Sequence, residues 1–296
     1  MKYILLLLLL CGCTVQNTVL PSEKGDVEVL FCLENQCEDR FLELTNNSQT
    51  QCAFYKSNLE NINENIDELV VHNRKYGLMH NKFCIINESI VWTGSYNPTR
   101  NKNDNNVVVI ESKYLAENYL QEFEELKNNK FGYGEKVKYP RIILGNMLIE
   151  NYFCPEDNCK EQVLKTLIKA RKSIHFMTFS FTDSDIAGLL IEKSRQIEVR
   201  GVMERQRVNM QYNKFKQMNK SFQIELDNNP AVMHHKVFVI DSQVVIMGSM
   251  NPTKSGDERN DENVVIIHNS EVAELFIKEF ERVSGQSQSS LKIGRA

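Results

Sequence analysis

No hydrophobic stretch in this 296-residue sequence is long enough to cross a bilayer as a helix, which takes about 20 apolar residues. The longest run, from Tyr3 through the leucines to Leu10, ends at Cys11-Gly12-Cys13. An excess of positive charge is also missing. Against 35 Lys and Arg stand 39 Asp and Glu, a net charge of −4, so a polyanion would have to be held by a local basic patch. No spacing resembles a His/Asp/Glu metal site and no glycine-rich phosphate loop is present, so neither a metal nor a cofactor is expected. The composition, 42% hydrophobic and 25% charged, is that of a soluble globular protein rather than a disordered one. The length suffices for one large domain or two small ones.

Lys2 followed by the apolar run has the charged start and apolar middle of a secretory signal. The stretch Leu10-Cys11-Gly12-Cys13 resembles a prokaryotic lipoprotein cleavage box, which would make Cys13 the lipidated first mature residue; an ordinary signal peptide cut nearby is the alternative. The expected location is therefore extracytoplasmic, with the protein attached to a membrane through a lipid anchor. Four cysteines form two similar phrases, Phe31-Cys32-Leu33-Glu34-Asn35-Gln36-Cys37 and Phe153-Cys154-Pro155-Glu156-Asp157-Asn158-Cys159. In an exported protein each pair closes a small disulfide loop, with free buried thiols and a four-sulfur metal site as the alternatives. Cys52 and Cys84 lie in apolar, strand-like runs and read as core residues.

The chain contains an internal duplication. Residues 79–99, MHNKFCIINESIVWTGSYNPT, align without gaps on residues 233–253, MHHKVFVIDSQVVIMGSMNPT, and 10 of the 21 positions are identical. The cysteine phrases align as well, and Asn103-Asp104-Asn105-Asn106-Val107 matches Asn260-Asp261-Glu262-Asn263-Val264. The expected organisation is a signal and linker over 1–24, two related halves over 25–138 and 139–285, and a disordered polar tail over 286–296. In the second half, strand-like runs fall near 147–153, 173–181, 197–203, 235–240, 243–247 and 263–267. Helical periodicity falls near 158–171 and 270–283. Strands and helices at this spacing predict an α/β sandwich. The first half is shorter before its histidine motif and is expected to lack the strand and helix around 197–218.

Side chains two apart on a strand share a face, so His80 and Lys82 point one way, as do Ser95 and Asn97. Asn87-Glu88-Ser89 between them reads as a hairpin turn. Closure near Glu88-Ser89 sets His80 opposite Asn97 and Lys82 opposite Ser95, and in the second copy His234 opposite Asn251 and Lys236 opposite Ser249. Each hairpin then presents an imidazole, an ammonium, a hydroxyl and an amide, a set suited to phosphate oxygens. Two such faces around one phosphorus allow one histidine to attack while the other protonates the leaving oxygen and later activates water.

His234, Lys236, Asp241, Gly248, Ser249 and Asn251 are similar, residue for residue, to the signature of the phospholipase D superfamily; His80, Lys82, Asn87, Gly94, Ser95 and Asn97 repeat it with Asn87 in place of the aspartate. The resemblance implies two α-β-α-β-α sandwich repeats related by a pseudo-twofold axis, each with a mixed sheet. It also implies a phosphohistidine intermediate and no metal requirement. His80, His234, Lys82 and Lys236 are the expected catalytic residues, and Ser95, Asn97, Ser249 and Asn251 the expected phosphate-binding ones. Glu262 matches a family carboxylate that holds a catalytic imidazole by its other nitrogen, and its counterpart is Asn105. On this basis His234, served by Glu262, is expected to be the nucleophile, although two-motif members often use the N-terminal histidine. His235 should face away from the site, and His72, His175 and His268 read as structural or surface residues. Arg100, Lys102, Lys254 and Arg259 follow the motifs and form either a basic rim or plain solvated loops.

Within the superfamily, substrates run from phospholipids to DNA and RNA. The compact halves resemble the small homodimeric bacterial endonucleases of the superfamily, whose strand-to-helix turn lies where the cysteine phrase lies here. The paired membrane helices of a cardiolipin synthase are not seen. Together these favour a nuclease acting on DNA or RNA. The acidic balance and the lipid anchor favour a phospholipase D, and a surface lipoprotein that binds phosphate ligands without turnover is the non-catalytic alternative. With both motifs in one chain, a monomer is sufficient for one active site.

Overall fold

The computed structural model describes residues 19–75 and 77–285. The signal sequence, the lipidation site at Cys13 and the tail over 286–296 lie outside the described residues. Among the described residues no helix is long and apolar enough to cross a membrane.

The chain begins with β1 (Ser22–Glu23), β2 (Val27–Phe31), α1 (Gln36–Thr45), β3 (Thr50–Phe54) and the single-turn α2 (Glu60–Asn63). β4 (Glu68–Val71), the hairpin β5 (Lys82–Ile86) and β6 (Ile90–Gly94), β7 (Asn106–Glu111) and α3 (Lys113–Lys127) follow. The pattern then recurs in β8 (Arg141–Leu144), β9 (Met147–Cys154), α4 (Cys159–Leu167), β10 (Ser173–Thr178), α5 (Ser184–Lys193) and β11 (Glu198–Met203). It closes with α6 (Phe215–Met218), β12 (Ile224–Leu226), the hairpin β13 (Lys236–Ile240) and β14 (Val244–Gly248), α7 (Lys254–Glu258), β15 (Glu262–His268) and α8 (Ser270–Val283).

Two mixed sheets result. One has the order β2-β7-β6-β5-β3-β4 and the other β1-β8-β9-β15-β14-β13-β10-β11-β12. β3–β4 and β10–β11 are the matching parallel pairs. The first half therefore keeps a counterpart of the strand near 197–203, which the shorter sequence suggested was missing. What it lacks is α6 and β12, and α5 is cut to the one turn of α2.

Helices α3 and α8 lie between the sheets. Ser112 caps α3 by accepting from Leu115 N, and Asn269 caps α8 by accepting from Val272 N. Each helix then buries apolar residues three and four apart, Leu115, Tyr119, Phe123 and Leu126 in one and Val272, Phe276, Phe280 and Val283 in the other. Tyr119 of α3 packs edge-on against both Phe83 of β5 and Phe153 of β9, each at 5.0 Å. Phe276 of α8 meets Phe31 of β2 at 5.3 Å, and Phe280 meets His175 of β10 at 5.0 Å. Each helix thus touches both sheets, and one continuous core runs through the middle of the molecule.

Cys32–Cys37 and Cys154–Cys159 are disulfides, as the phrases predicted. Cys52 and Cys84 are fully buried core residues, as expected, but they are also bonded to each other. They sit directly opposite each other on β3 and β5, with Cα atoms 4.1 Å apart, and form a third disulfide. Sequence reading saw two apolar strands but not that they would be neighbours in register.

Candidate active site

The register of both hairpins is shifted by one residue from the one the sequence suggested. Ile86 pairs with Ile90 and Ile240 with Val244, leaving three-residue turns in which Asn87, Glu88, Asp241 and Ser242 take positive φ. In this register Lys82 would face Gly94 rather than Ser95. Asn87 and Asp241 serve the turns: Asn87 Oδ1 accepts from Gln49 N, and Asp241 carboxylate oxygens accept from Arg171 N, Lys172 N and Ser173 N. The asparagine-for-aspartate change therefore lies far from any chemistry.

After each hairpin the chain leaves the ladder at a glycine. A Cβ on Gly94 would lie 2.1 Å from Asn106 O, and one on Gly248, at φ +144°, would lie 2.3 Å from Asn263 O. The close approach turns the next serine inward. Ser249 Oγ donates to Glu262 at 2.7 Å and accepts from Asn263 N, while Ser95 Oγ donates to Asn105 Oδ1 at 3.1 Å and accepts from Asn106 N. Both serines are fully buried. They hold Glu262 and Asn105 in place, and do not offer hydroxyls to phosphate as the hairpin argument expected.

The two halves exchange partners across the pseudo-twofold axis. His80 N donates to Asp261 O at 2.9 Å, and His234 N donates to Asp104 O at 2.8 Å, so each histidine motif lies beside the Asn-Asp segment of the other half. Glu262 consequently reaches His80: Nδ1 and Oε2 are 2.7 Å apart. His234 Nδ1 meets Asn105 Oδ1 at 2.9 Å and Ser95 O at 3.1 Å. The expected pairing of Glu262 with His234 is thus wrong. All three partners are acceptors, which places the proton on Nδ1 of both rings and leaves both Nε2 lone pairs free.

The middle residues of the motifs lock this arrangement. Asn263 Nδ2 donates to Asn81 Oδ1 and Asn81 Nδ2 to Glu122, each at 2.9 Å. On the other side His235, wholly buried and turned away from the site, bridges Asn106 Oδ1 and Glu279 Oε1, each at 2.9 Å. Buried networks of this kind fix one register between packed surfaces, although Asn106 Nδ2 is left without a partner. Of the remaining histidines, His268 pairs with Glu150 at 2.7 Å and His72 Nδ1 accepts from Met79 N.

His80, His234, Asn97 and Asn251 line a single cleft of about 740 Å³ between the halves. Tyr55 and Phe179 stand at equivalent places, 5.0 Å from His80 and 4.9 Å from His234. Lys82 and Lys236 lie buried behind these rings, with Nζ atoms 5.6 and 5.1 Å from the ring centres, and each ammonium donates to the carbonyl of its own histidine. Asn251 Oδ1 is buried without a partner. The cations that border the cleft are Lys56 and Arg207, the latter 4.3 Å over the Phe179 ring. Neither carried a sequence signal, since both sit in segments outside the duplicated motif. None of Arg100, Lys102, Lys254 and Arg259 borders the cleft. Lys254 pairs with Glu258 and Arg259 with Ser255, because α7 turns them outward.

Burial and the nearby ammonium groups of Lys82 and Lys236 bring the His80 imidazole down to about 4, against the pull of Glu262. Burial and the same two lysines also hold His234 well below its ordinary value. Glu262 stays ionised: burial opposes the charge, but His80, Lys82 and Ser249 outweigh it. Burial lowers Lys82 from 10.5 to about 7 and Lys236 in the same direction. The groups of the site are therefore short of negative charge, which suits it to an anionic ligand.

That deficit has a measurable cost. The unfolded chain binds a proton at Lys82 below about pH 10.5, whereas the folded chain binds it only below about pH 7. Stability contributed by this group therefore falls as pH drops through that window. Lys82→Met is expected to raise Tm by several degrees at pH 7 and flatten its pH dependence, while activity is lost; thermal melts across pH 6–10 check it.

The sequence profile of the family described as "Cardiolipin synthase, PLD-like domain" matches residues 19–127 and 163–284. A protein named phospholipase D from Rickettsia bellii is 29% identical over 146 residues, 48% of this chain and 73% of its own length. A protein named mitochondrial cardiolipin hydrolase from Homo sapiens is 30% identical over 129 residues, 43% of this chain and 51% of its own length. Among solved structures, phosphatidylserine synthase of Haemophilus influenzae superposes with a TM-score of 0.63 over 86% of this chain and 85% of its own, at 12% identity, which speaks to the fold. With the family matched in both halves and their two histidine motifs meeting in one cleft, the chain belongs to the phospholipase D-like family of phosphodiester hydrolases.

Proposed function

We propose that this protein is an exported nuclease that cleaves phosphodiester bonds through a phosphohistidine on His80. The observation that carries the role of His80 is the single carboxylate of the site, Glu262, on its Nδ1. A neutral imidazole with its proton on Nδ1 presents an unshared pair at Nε2. As Nε2 attacks phosphorus, positive charge grows on the ring and Glu262 stabilises it at 2.7 Å. His234, held only by neutral oxygens, takes up a proton beside the bound anion and gives it to the leaving oxygen. It then removes a proton from the water that releases the phosphomonoester product from His80. Lys82 and Lys236 offset the charge that builds on the non-bridging oxygens.

The polar lining of the cleft supports a nucleic acid substrate. Its walls carry Asn58, Asn97, Asn101, Thr182, Asn251 and Thr253, with Lys56 and Arg207 for backbone phosphates. Hydrogen-bonding walls with scattered cations suit a polynucleotide backbone better than acyl chains. Three disulfides among the described residues fit an oxidising compartment, and with the apolar N-terminus they support export and a lipid anchor at Cys13. The names of the relatives favour a lipid substrate instead. Hydrolysis of single-stranded DNA, RNA, phosphatidylcholine vesicles and bis(p-nitrophenyl) phosphate, all in EDTA, separates the readings. Turnover of nucleic acid and of the small diester without turnover of lipid is expected; turnover of lipid alone would replace the nuclease reading, and binding without any turnover would make the protein a phosphate-ligand receptor.

A further inference from the structure

The first half carries a space that the second half fills. Beside the catalytic cleft lies a cavity of about 630 Å³ bordered by Leu33, Leu59, Tyr96 and the Cys32–Cys37 disulfide. Thr99, Asn101 and Asn103 border both spaces, whereas Arg100 and Lys102 border the cavity and not the cleft. Residues 99–103 are thus the ridge between them.

The opening follows from chain length. Seven residues span Asn97 to Asn103, but ten span the equivalent Asn251 to Asn260. The three additional residues let α7 form. There Gly256 lies against Met250, the counterpart of Tyr96, and Asp257 Oδ1 accepts from Lys160 N at 3.0 Å. Met250 Sδ in turn lies 3.7 Å from Cys154 Sγ. Cys154 is fully buried as a result, while its counterpart Cys32 is partly exposed.

We propose that the open cavity is a nucleotide subsite, receiving one base of the substrate strand against Tyr96 and Leu59 with its phosphate at Arg100 and Lys102. This rests on the nucleic acid reading of the cleft. The volume lies within the usual range for small-ligand pockets, about 300–1,000 Å³. The charges give it a direction. Arg100 and Lys102, exposed on the ridge, attract phosphate, whereas Glu34 and Glu38 beside the disulfide repel phosphate and accept from base amino groups. A nucleotide therefore enters with its phosphate toward the ridge and the cleft beyond it. The second half offers no equivalent, so the strand is gripped on one side of the reacting phosphorus.

The test is binding of AMP and of inorganic phosphate to the intact protein, followed by isothermal titration calorimetry. AMP is expected to bind about tenfold more tightly than phosphate, since a stacked base adds about that much. Arg100→Glu/Lys102→Glu and, separately, Leu33→Trp should each reduce that advantage to about twofold. Lys278→Glu, a lysine-to-glutamate change at one exposed position on α8, should leave it intact. AMP no better than phosphate, or an advantage that survives both cavity variants, overturns the subsite. Because the readout is binding and not turnover, it is separate from the DNA and RNA assay on which the nuclease reading stands or falls.

Discussion

Quenched in alkaline denaturant during turnover, which preserves an N–P bond, the protein is expected to carry its phosphoryl group on His80, and His80→Ala to carry none and show only background hydrolysis. The reason is the crossed wiring of the site. Two histidines share one cleft, but only His80 has a carboxylate on Nδ1, at 2.7 Å. His234 has Asn105 Oδ1 and Ser95 O, which orient the ring without offsetting a charge on it. The imidazole that becomes covalently phosphorylated needs the partner that tolerates its positive charge. His234→Ala should then separate substrates by leaving group. Cleavage of an oligonucleotide, whose alkoxide must be protonated, is expected to slow roughly 10²- to 10⁴-fold. With bis(p-nitrophenyl) phosphate the first step should survive, giving a burst of p-nitrophenol and a labelled His80 that persists, because no base remains to activate water. A label found on His234 in the unaltered protein would reverse the two roles.

Glu262→Gln is expected to cost on the order of 10³- to 10⁴-fold in kcat, comparable to losing the correct tautomer in other oriented-histidine sites. Glu262 is wholly buried and accepts from His80 Nδ1, from Ser249 Oγ at 2.7 Å and from Asn260 Nδ2 at 3.1 Å. A glutamine supplies one oxygen and one donating nitrogen to positions that need only acceptors. If its amide donates to Nδ1, the ring proton moves to Nε2 and the attacking pair is gone. Asn105→Ala is the control, expected to cost about tenfold, because Ser95 O still accepts from His234 Nδ1. Equal losses in the two variants would show that the carboxylate has no special part in the chemistry.

Much of this site was legible from spacing. The duplicated His-x-Lys and Gly-Ser-x-Asn phrases named the residues that meet, and alternation of side chains along strands put the motif histidines on the business side and His235 on the other. The hairpin register failed by one residue because turn length was judged from the identity of Asn87-Glu88-Ser89, while the positive φ at Asn87 and Glu88 sets it. The serines were misread for a related reason. Their direction comes from the close backbone approach at Gly94 and Gly248 to the next strand, which is a contact between strands.

By itself the sequence determined that this chain is two copies of one α/β unit, that each copy brings a histidine and a lysine, and that two short cysteine loops close locally. Those are properties of neighbours along the chain. Only the tertiary structure decided that Glu262 of one half serves His80 of the other, that Cys52 reaches Cys84, and that three residues missing before Asp104 leave a cavity open. Each depends on which surfaces meet when two repeats pack around an axis, and periodicity along a strand carries no record of its partner across that axis.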